Sequence, residues 1–320
     1  MVSRRVIVLG GAALTFTGGA YAKFRADLAS ARRAETPTQS RMADTRHGPV
    51  EYASAGQGPA VLMLHGTGGG FDQGLTFTRR LQSLGYRVIA PSRFGYLRTP
   101  MPADADHWAE ADTIADLLDQ LGLERVAVAR GSAGAVPALA FAIRYPHRTA
   151  ACLPIVPAFF LPGRAPVEPW SPVQERMVRA LLKSDFLFWA SLKLAPRQII
   201  GSILATDPGL VDAASTDEKE RVAGIIRGLL PITARADGLL YDNRQTNRPL
   251  DLALRNITAP TLAFSCEDDR YRTAENARHI AAEVPGARVV IYPTGGHIWV
   301  GRDAELFGEI DTFLRGIGSA

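Results

Sequence analysis

Six short apolar runs recur along the chain, at Val61–Leu64, Val88–Ala90, Val126–Ala129, Leu153–Val156, Thr261–Ser265 and Val289–Tyr292. Amphipathic segments at about 75–84, 109–121, 133–145 and 273–284 separate most of them. A strand that is apolar at every position must be buried on both faces. Alternation with helices supplies the two covering layers, so the pattern predicts an α/β fold with a mostly parallel central sheet and helices on both faces. "PVEYASAGQG", just before the first run, alternates Tyr52 with small residues and ends in a glycine-rich turn, which suits an antiparallel edge hairpin.

The alternation stops between 158 and 245, where the sequence reads as helices only. Ser171-Pro172 with Gln174, and Ser215 with Glu218, have the spacing of capping boxes. This predicts a helical cap over 158–245, inserted between two parts of one core at 43–157 and 246–320. Within it, "SDFLFWASL" at 184–192 can serve either as the cap's own core or as an apolar wall for a ligand.

The chain begins with "SRR" at 3–5, an apolar glycine-rich run to Ala22, and "AYA" before Lys23. A charged start, an apolar middle and an A-x-A end predict an export signal over residues 1–22, with a twin-arginine-like start and a periplasmic or secreted product. The alternative is an uncleaved inner-membrane anchor at residues 6–22, although the run is slightly shorter than a span requires. Residues 23–42 show no apolar periodicity and read as a flexible spacer. The 36 basic and 32 acidic residues give a net charge of +4, without a dense basic stripe, so nucleic acid is not an expected partner. The expected partner is a small-molecule substrate; membrane contact is expected only through an uncleaved N-terminus, and nothing fixes the oligomeric state. Cys152 and Cys266 fall at opposite ends of predicted parallel strands, beyond bridging reach, and read as free and structural.

Chemistry gathers at the carboxyl ends of the strands, the edge where open α/β sheets bind ligands. "ARGSAGAV" places Ser132 at a strand-to-helix corner crowded by small residues, where a serine nucleophile is presented. A serine helix cap would look the same. "LHGTGGGF" follows another strand; its glycines let backbone N–H groups turn toward an oxyanion, with Thr67 and Ala133 as the donors. His65 opens that loop and Gly66 follows, both as supports. A dinucleotide loop is excluded by spacing, because the third glycine of G-x-G-x-x-G would fall on Phe71. Glu267, Asp268 and Asp269 end a third strand, and any of them could orient a base. Of six histidines, His297 falls on a free loop after the last strand, following Gly-Gly. No HExxH pattern occurs and the histidines are dispersed, so neither metal nor organic cofactor is expected.

In this order, Ser…acid…His with a strand and loop for each, the chain resembles the α/β-hydrolase fold superfamily, in its capped serine-hydrolase form, over about residues 43–317. "HGTGGG" resembles the family's oxyanion loop, "PSRFGYLRT" the loop after its fourth strand, "EDDRYRT" its acid loop and "GGH" its histidine turn. The resemblance implies a triad of Ser132, Asp269 and His297 acting on a small carboxylic ester or lactone. A carbon–carbon bond hydrolase, a cofactor-free perhydrolase and a catalytically silent ligand binder share the fold. A serine nucleophile sets the chain apart from the dehalogenase and epoxide-hydrolase branches, which the resemblance says use aspartate. Ser92, Arg130 and Cys266 depart from the family pattern. A buried unpaired guanidinium is prohibitive, so Arg130 is expected to reach the same sheet edge and pair with Asp268 or Glu267 in support of the site.

Overall fold

The computed structural model describes residues 18–34, 40–161, 163–164, 171–250 and 252–318. Eight strands form one sheet: β1 (Arg41–Thr45), β2 (Gly48–Ala55), β3 (Ala60–Leu64), β4 (Arg87–Pro91), β5 (Val126–Gly131), β6 (Thr149–Ile155), β7 (Leu262–Cys266) and β8 (Arg288–Tyr292). Their order is β1-β2-β4-β3-β5-β6-β7-β8, with β1, β2 and β4 antiparallel to their neighbours up to β4 and every later pairing parallel. The antiparallel strand read at "PVEYASA" is present as β2. Its hairpin partner is β1, however, and the turn is Arg46-His47 rather than the glycines at 56–58.

Thirteen α-helices are described. The core carries α2 (Phe71–Phe77), α3 (Arg79–Ser83), α4 (His107–Gln120), α5 (Ala135–Arg144), α12 (Thr273–Glu283) and α13 (Asp303–Gly318). Side chains alternate across β5 as the pleat requires. Val126 and Val128 pack under α4 and α5 with Leu117 and Phe141, whereas Ala127 and Ala129 face Leu306, Phe307 and Ile310 of α13. Both faces of the sheet are therefore covered, which explains the unbroken apolar runs of the central strands.

Between β6 and β7 the chain forms α6 (Pro172–Leu182), α7 (Asp185–Leu194), α8 (Pro196–Ser202), α9 (Pro208–Ala213), α10 (Thr216–Arg227) and α11 (Ala236–Thr246). Ser171 caps α6 in a full capping box with Gln174, and Ser215 caps α10 by accepting from Glu218 N. The spacer reading of residues 23–42 is corrected over 23–34 and 41–42, while 35–39 lie outside the described residues. The chain is helical as α1 (Gly18–Ala34), and β1 starts at Arg41. Phe24 and Leu28, one turn apart, are buried against Phe188, Trp189 and Leu192 of α7, and Trp189 Nε1 donates to Asp27 at 2.9 Å. Residues 1–17, most of the segment read as an export signal, lie outside the described residues. Both cysteines are buried and unbridged.

Candidate active site

Ser132 follows β5 directly, at the start of a short 3₁₀ turn that leads into α5. Its φ is +51°, a left-handed conformation that costs a non-glycine residue on the order of 1–3 kcal/mol. The corner is tight because Gly134 runs against the loop after β3. A Cβ at Gly134 would come within 2.6 Å of the His65 carbonyl oxygen, so only glycine fits there. Ser132 is half-buried, while the residues around it, Gly131 and Ala133 to Val136, are buried.

His297 sits in the turn after β8. Its Nδ1 lies 2.7 Å from Asp269 Oδ2, and both side chains are almost fully buried. Four further contacts hold this pair. Thr206 Oγ1 accepts from His297 N at 3.0 Å, Tyr271 N donates to Asp269 Oδ1 at 2.8 Å, and the Tyr271 ring meets the imidazole edge-on at 4.9 Å. Thr273 donates to the same carboxylate oxygen that faces the ring. Nε2 of His297 has no partner among the described residues. Ser132 and His297 both line one cavity of about 670 Å³, and no hydrogen bond joins them.

Gly66, Thr67 and Ala133 line the same cavity. Gly66 N donates to Gln73 Oε1 at 3.0 Å, but the N–H groups of Thr67 and Ala133 meet no acceptor among the described residues. A buried network fixes this loop. Arg93 N donates to His65 Nε2 at 2.9 Å, so that nitrogen carries the lone pair. The proton is therefore on Nδ1, 2.7 Å from the Gly66 carbonyl oxygen. Burial, reinforced by the Arg93 charge, pushes the pKa of His65 well below the ordinary value and keeps the ring neutral. His65 is thus a structural pin of the loop.

Arg93 bridges Glu110 (3.0 Å) and Asp242 (2.8 Å), all three nearly inaccessible. Burial opposes its charge, but the two carboxylates outweigh burial and hold its pKa well above the usual value. Asp242 also accepts from Tyr96 OH at 2.6 Å and from Thr67 Oγ1 at 3.1 Å. Tyr96 OH in turn accepts from Gly68 N. From the same inserted segment, Arg235 pairs with Asp72 at 2.8 Å and donates to the Gly69 carbonyl. The loop after β3 is therefore clamped by α11 as well as by the core. None of Arg93, Tyr96, Arg235 or Asp242 stood out in the sequence, because their pairings span up to 166 residues.

The pairing expected of Arg130 is corrected. Glu267 pairs with Arg278, and Asp268 accepts from Gly295 N and Gly296 N at 3.2 and 2.8 Å, where it braces the turn that carries His297. Arg130 has the same pleat parity as Val128, so its side chain runs under α5 rather than to the sheet edge. It is wholly buried, donates through Nη1 to the Ala135 carbonyl, and leaves Nε and Nη2 without partners among the described residues. Burial draws its pKa down to about 10.

The rest of the cavity is mostly apolar. Phe77, Phe159 and Phe160 come from the core, and Leu182, Phe188, Ile225 and Leu229 from the insertion. "SDFLFWASL" divides its duties: Phe188 reaches the cavity, while Phe186 and Trp189 pack on Phe24 of α1. The charged lining groups among the described residues are Arg164, which is bound to Glu275 at 2.8 Å, and Glu175.

A mostly parallel eight-stranded sheet, with a serine at the corner after β5 and an Asp–His pair after β7 and β8, defines a class, and the sequence comparison agrees. The chain belongs to the α/β hydrolase fold family, whose family model matches residues 59–300. It is similar to a 2-hydroxy-6-oxo-6-phenylhexa-2,4-dienoate hydrolase from Burkholderia cepacia, at 26% identity, covering 82% of this chain and 89% of that protein. It is also similar to an epoxide hydrolase from Caballeronia sordidicola, at 30% identity, covering 75% of this chain and 71% of that protein. Among solved structures it resembles an α/β hydrolase fold protein from Nakamurella multipartita, with a TM-score of 0.65 and 26% identity, covering 87% of this chain and 99% of that one.

Proposed function

We propose that this hydrolase cleaves an apolar carboxylic ester or lactone through Ser132, His297 and Asp269. The observation that carries the proposal is the His297–Asp269 contact of 2.7 Å in the wall of the cavity onto which Ser132 opens. Asp269 holds Nδ1 protonated and leaves Nε2 as the base. Ser132 Oγ attacks the carbonyl carbon while its proton passes to His297 Nε2. The carbonyl electrons move to oxygen, where the N–H groups of Thr67 and Ala133 receive the charge. Collapse expels the alkoxide, which takes the proton from His297. A water molecule, deprotonated by the same nitrogen, then attacks the acyl carbon; the bond to Ser132 Oγ breaks, the acid leaves, and Oγ takes the proton back from His297.

The names of the relatives suggest two other reactions. An epoxide hydrolase of this family is expected to attack through aspartate, and Ser132 stands at that position. A carbon–carbon hydrolase acting on a dienoate has a carboxylate to bind. The cation described in the cavity wall, Arg164, is already paired with Glu275. A neutral ester with an apolar acyl group suits the lining better. The test is a panel of p-nitrophenyl esters from acetate to decanoate, run beside a hydroxy-oxo-dienoate, with the wild type and Ser132→Ala. The proposal expects turnover of the longer esters, abolished in Ser132→Ala, and little of the dienoate. Preferred cleavage of the dienoate would replace the ester reading with the carbon–carbon one.

A further inference from the structure

The five most exposed large apolar side chains among the described residues are Val173, Leu194, Tyr21, Leu187 and Met177, each 43–63% accessible. All five lie on α1, α6 and α7. Val173 and Met177 are one turn apart on α6; at 100° per residue their shared direction lies about 120° from Val178 and about 160° from Leu182, which line the cavity, while Leu181 stands at the margin between the two sides. Leu187 and Leu194, two turns apart on α7, share a side that is turned away from Phe188. Tyr21 packs beside Phe186 at 6.2 Å, so α1 adjoins α7 there.

Charge concentrates on the same elements. Residues 18–34 and 171–195 hold eight cations, Lys23, Arg25, Arg32, Arg33, Arg176, Arg179, Lys183 and Lys193, against three carboxylates, Asp27, Glu175 and Asp185. Their net charge of +5 exceeds the +4 of the whole chain, so the remainder is net acidic. The three carboxylates are engaged with Lys193, Arg179 and Arg32. Arg25, Arg176 and Lys183 are exposed and form no ion pair with a carboxylate among the described residues, and exposed Lys23 acts on Asp27 through space only. The apolar run of the sequence that ends at Ala22 overlaps the first five residues of α1.

We infer that α1, α6 and α7 together form a docking surface for an anionic lipid bilayer. Exposed apolar side chains set among unpaired cations are the composition of an interfacial helix face. No described helix is long and apolar enough to cross a membrane. With one side toward lipid and the other lining the cavity, α6 would let an apolar substrate pass from bilayer to site. That consequence rests on the ester reading above; the docking itself does not.

The test uses the full chain labelled with a polarity-sensitive thiol dye at Met177→Cys or Leu187→Cys, or at Ser83→Cys on core helix α3 as a control. The native cysteines are buried. Vesicles are phosphatidylcholine alone or with about 30% phosphatidylglycerol. The dyes at 177 and 187 should brighten and shift to the blue with the anionic vesicles, and the dye at 83 should not. Arg176→Glu/Lys183→Glu should weaken vesicle binding by at least about tenfold. Chain that sediments with vesicles while the dyes at 177 and 187 stay dark would show a tether at the N-terminus only and overturn the inference. So would brightening without lipid as protein concentration rises, which would make a second copy the occupant, or equal binding to neutral vesicles.

Discussion

Replacing Asp242 by asparagine removes a charge from the centre of the clamp while keeping its volume. The carboxylate accepts four hydrogen bonds: from Arg93 Nη1 at 3.0 Å and Nη2 at 2.8 Å, from Tyr96 OH at 2.6 Å, and from Thr67 Oγ1 at 3.1 Å. An asparagine offers one acceptor oxygen, and its NH₂ must face a donor. Breaking a buried ion pair costs about 3–5 kcal/mol when the remaining charge has no other partner. Here Glu110 still holds Arg93, so about 3 kcal/mol is expected, read as a lower urea midpoint at unchanged m. The loss of the Thr67 tether should reach the chemistry as well. Full removal of an oxyanion donor costs roughly 100- to 1,000-fold in kcat; a displaced donor should cost about ten- to a hundredfold, with KM nearly unchanged. Thr67→Val cuts the same tether without touching Arg93. It should show a similar loss in kcat with only about 1 kcal/mol of destabilisation. The double variant should be no slower than Asp242→Asn alone. Wild-type kcat in folded Asp242→Asn, or fully additive losses in the double variant, would refute this coupling.

Two further outcomes follow from the buried groups. Arg130→Met replaces a guanidinium that has one hydrogen bond and no counter-ion among the described residues, so stability should hold or rise in a thermal melt; a loss of more than about 2 kcal/mol would show a partnership the geometry lacks. His65 is held neutral in the fold, whereas in the unfolded chain it takes up a proton below about pH 6.5. The unfolded state therefore binds more protons in acid, and stability should fall by about 1.4 kcal/mol per pH unit below that point until the depressed folded pKa is reached. His65→Gln, compared by urea melts at pH 7 and pH 5, should lose this part of the acid dependence; an unchanged slope would contradict it.

The parallel strands were legible because double-sided burial leaves no polar position to interrupt them. Ser132, Gly134 and His297 were legible because each needs a local sequence: small residues at a corner, and two glycines before a turn. β1 was hidden because "RMADT" lies at the sheet edge and buries only Ala43. α1 carried a weak signal in Phe24, Leu28 and Ala31, but its remaining positions are mostly small or charged because α7 covers a single side. Arg130 was misplaced because parity along β5, not the chemistry of nearby acids, decides where its side chain goes. Asp242 could not be found at all: its value comes from Arg93, Tyr96 and Thr67, which the chain brings to it only after the insertion has folded back on the core.

The role of Ser132 is tested most directly by a fluorophosphonate, which bonds only to an activated serine. Labelling followed by peptide mapping should place one adduct per chain on Ser132, with none in Ser132→Ala and slower labelling in Asp269→Asn, where His297 would be held in the wrong tautomer. An unlabelled wild-type chain, or an adduct on any other residue, would contradict the nucleophile assigned here.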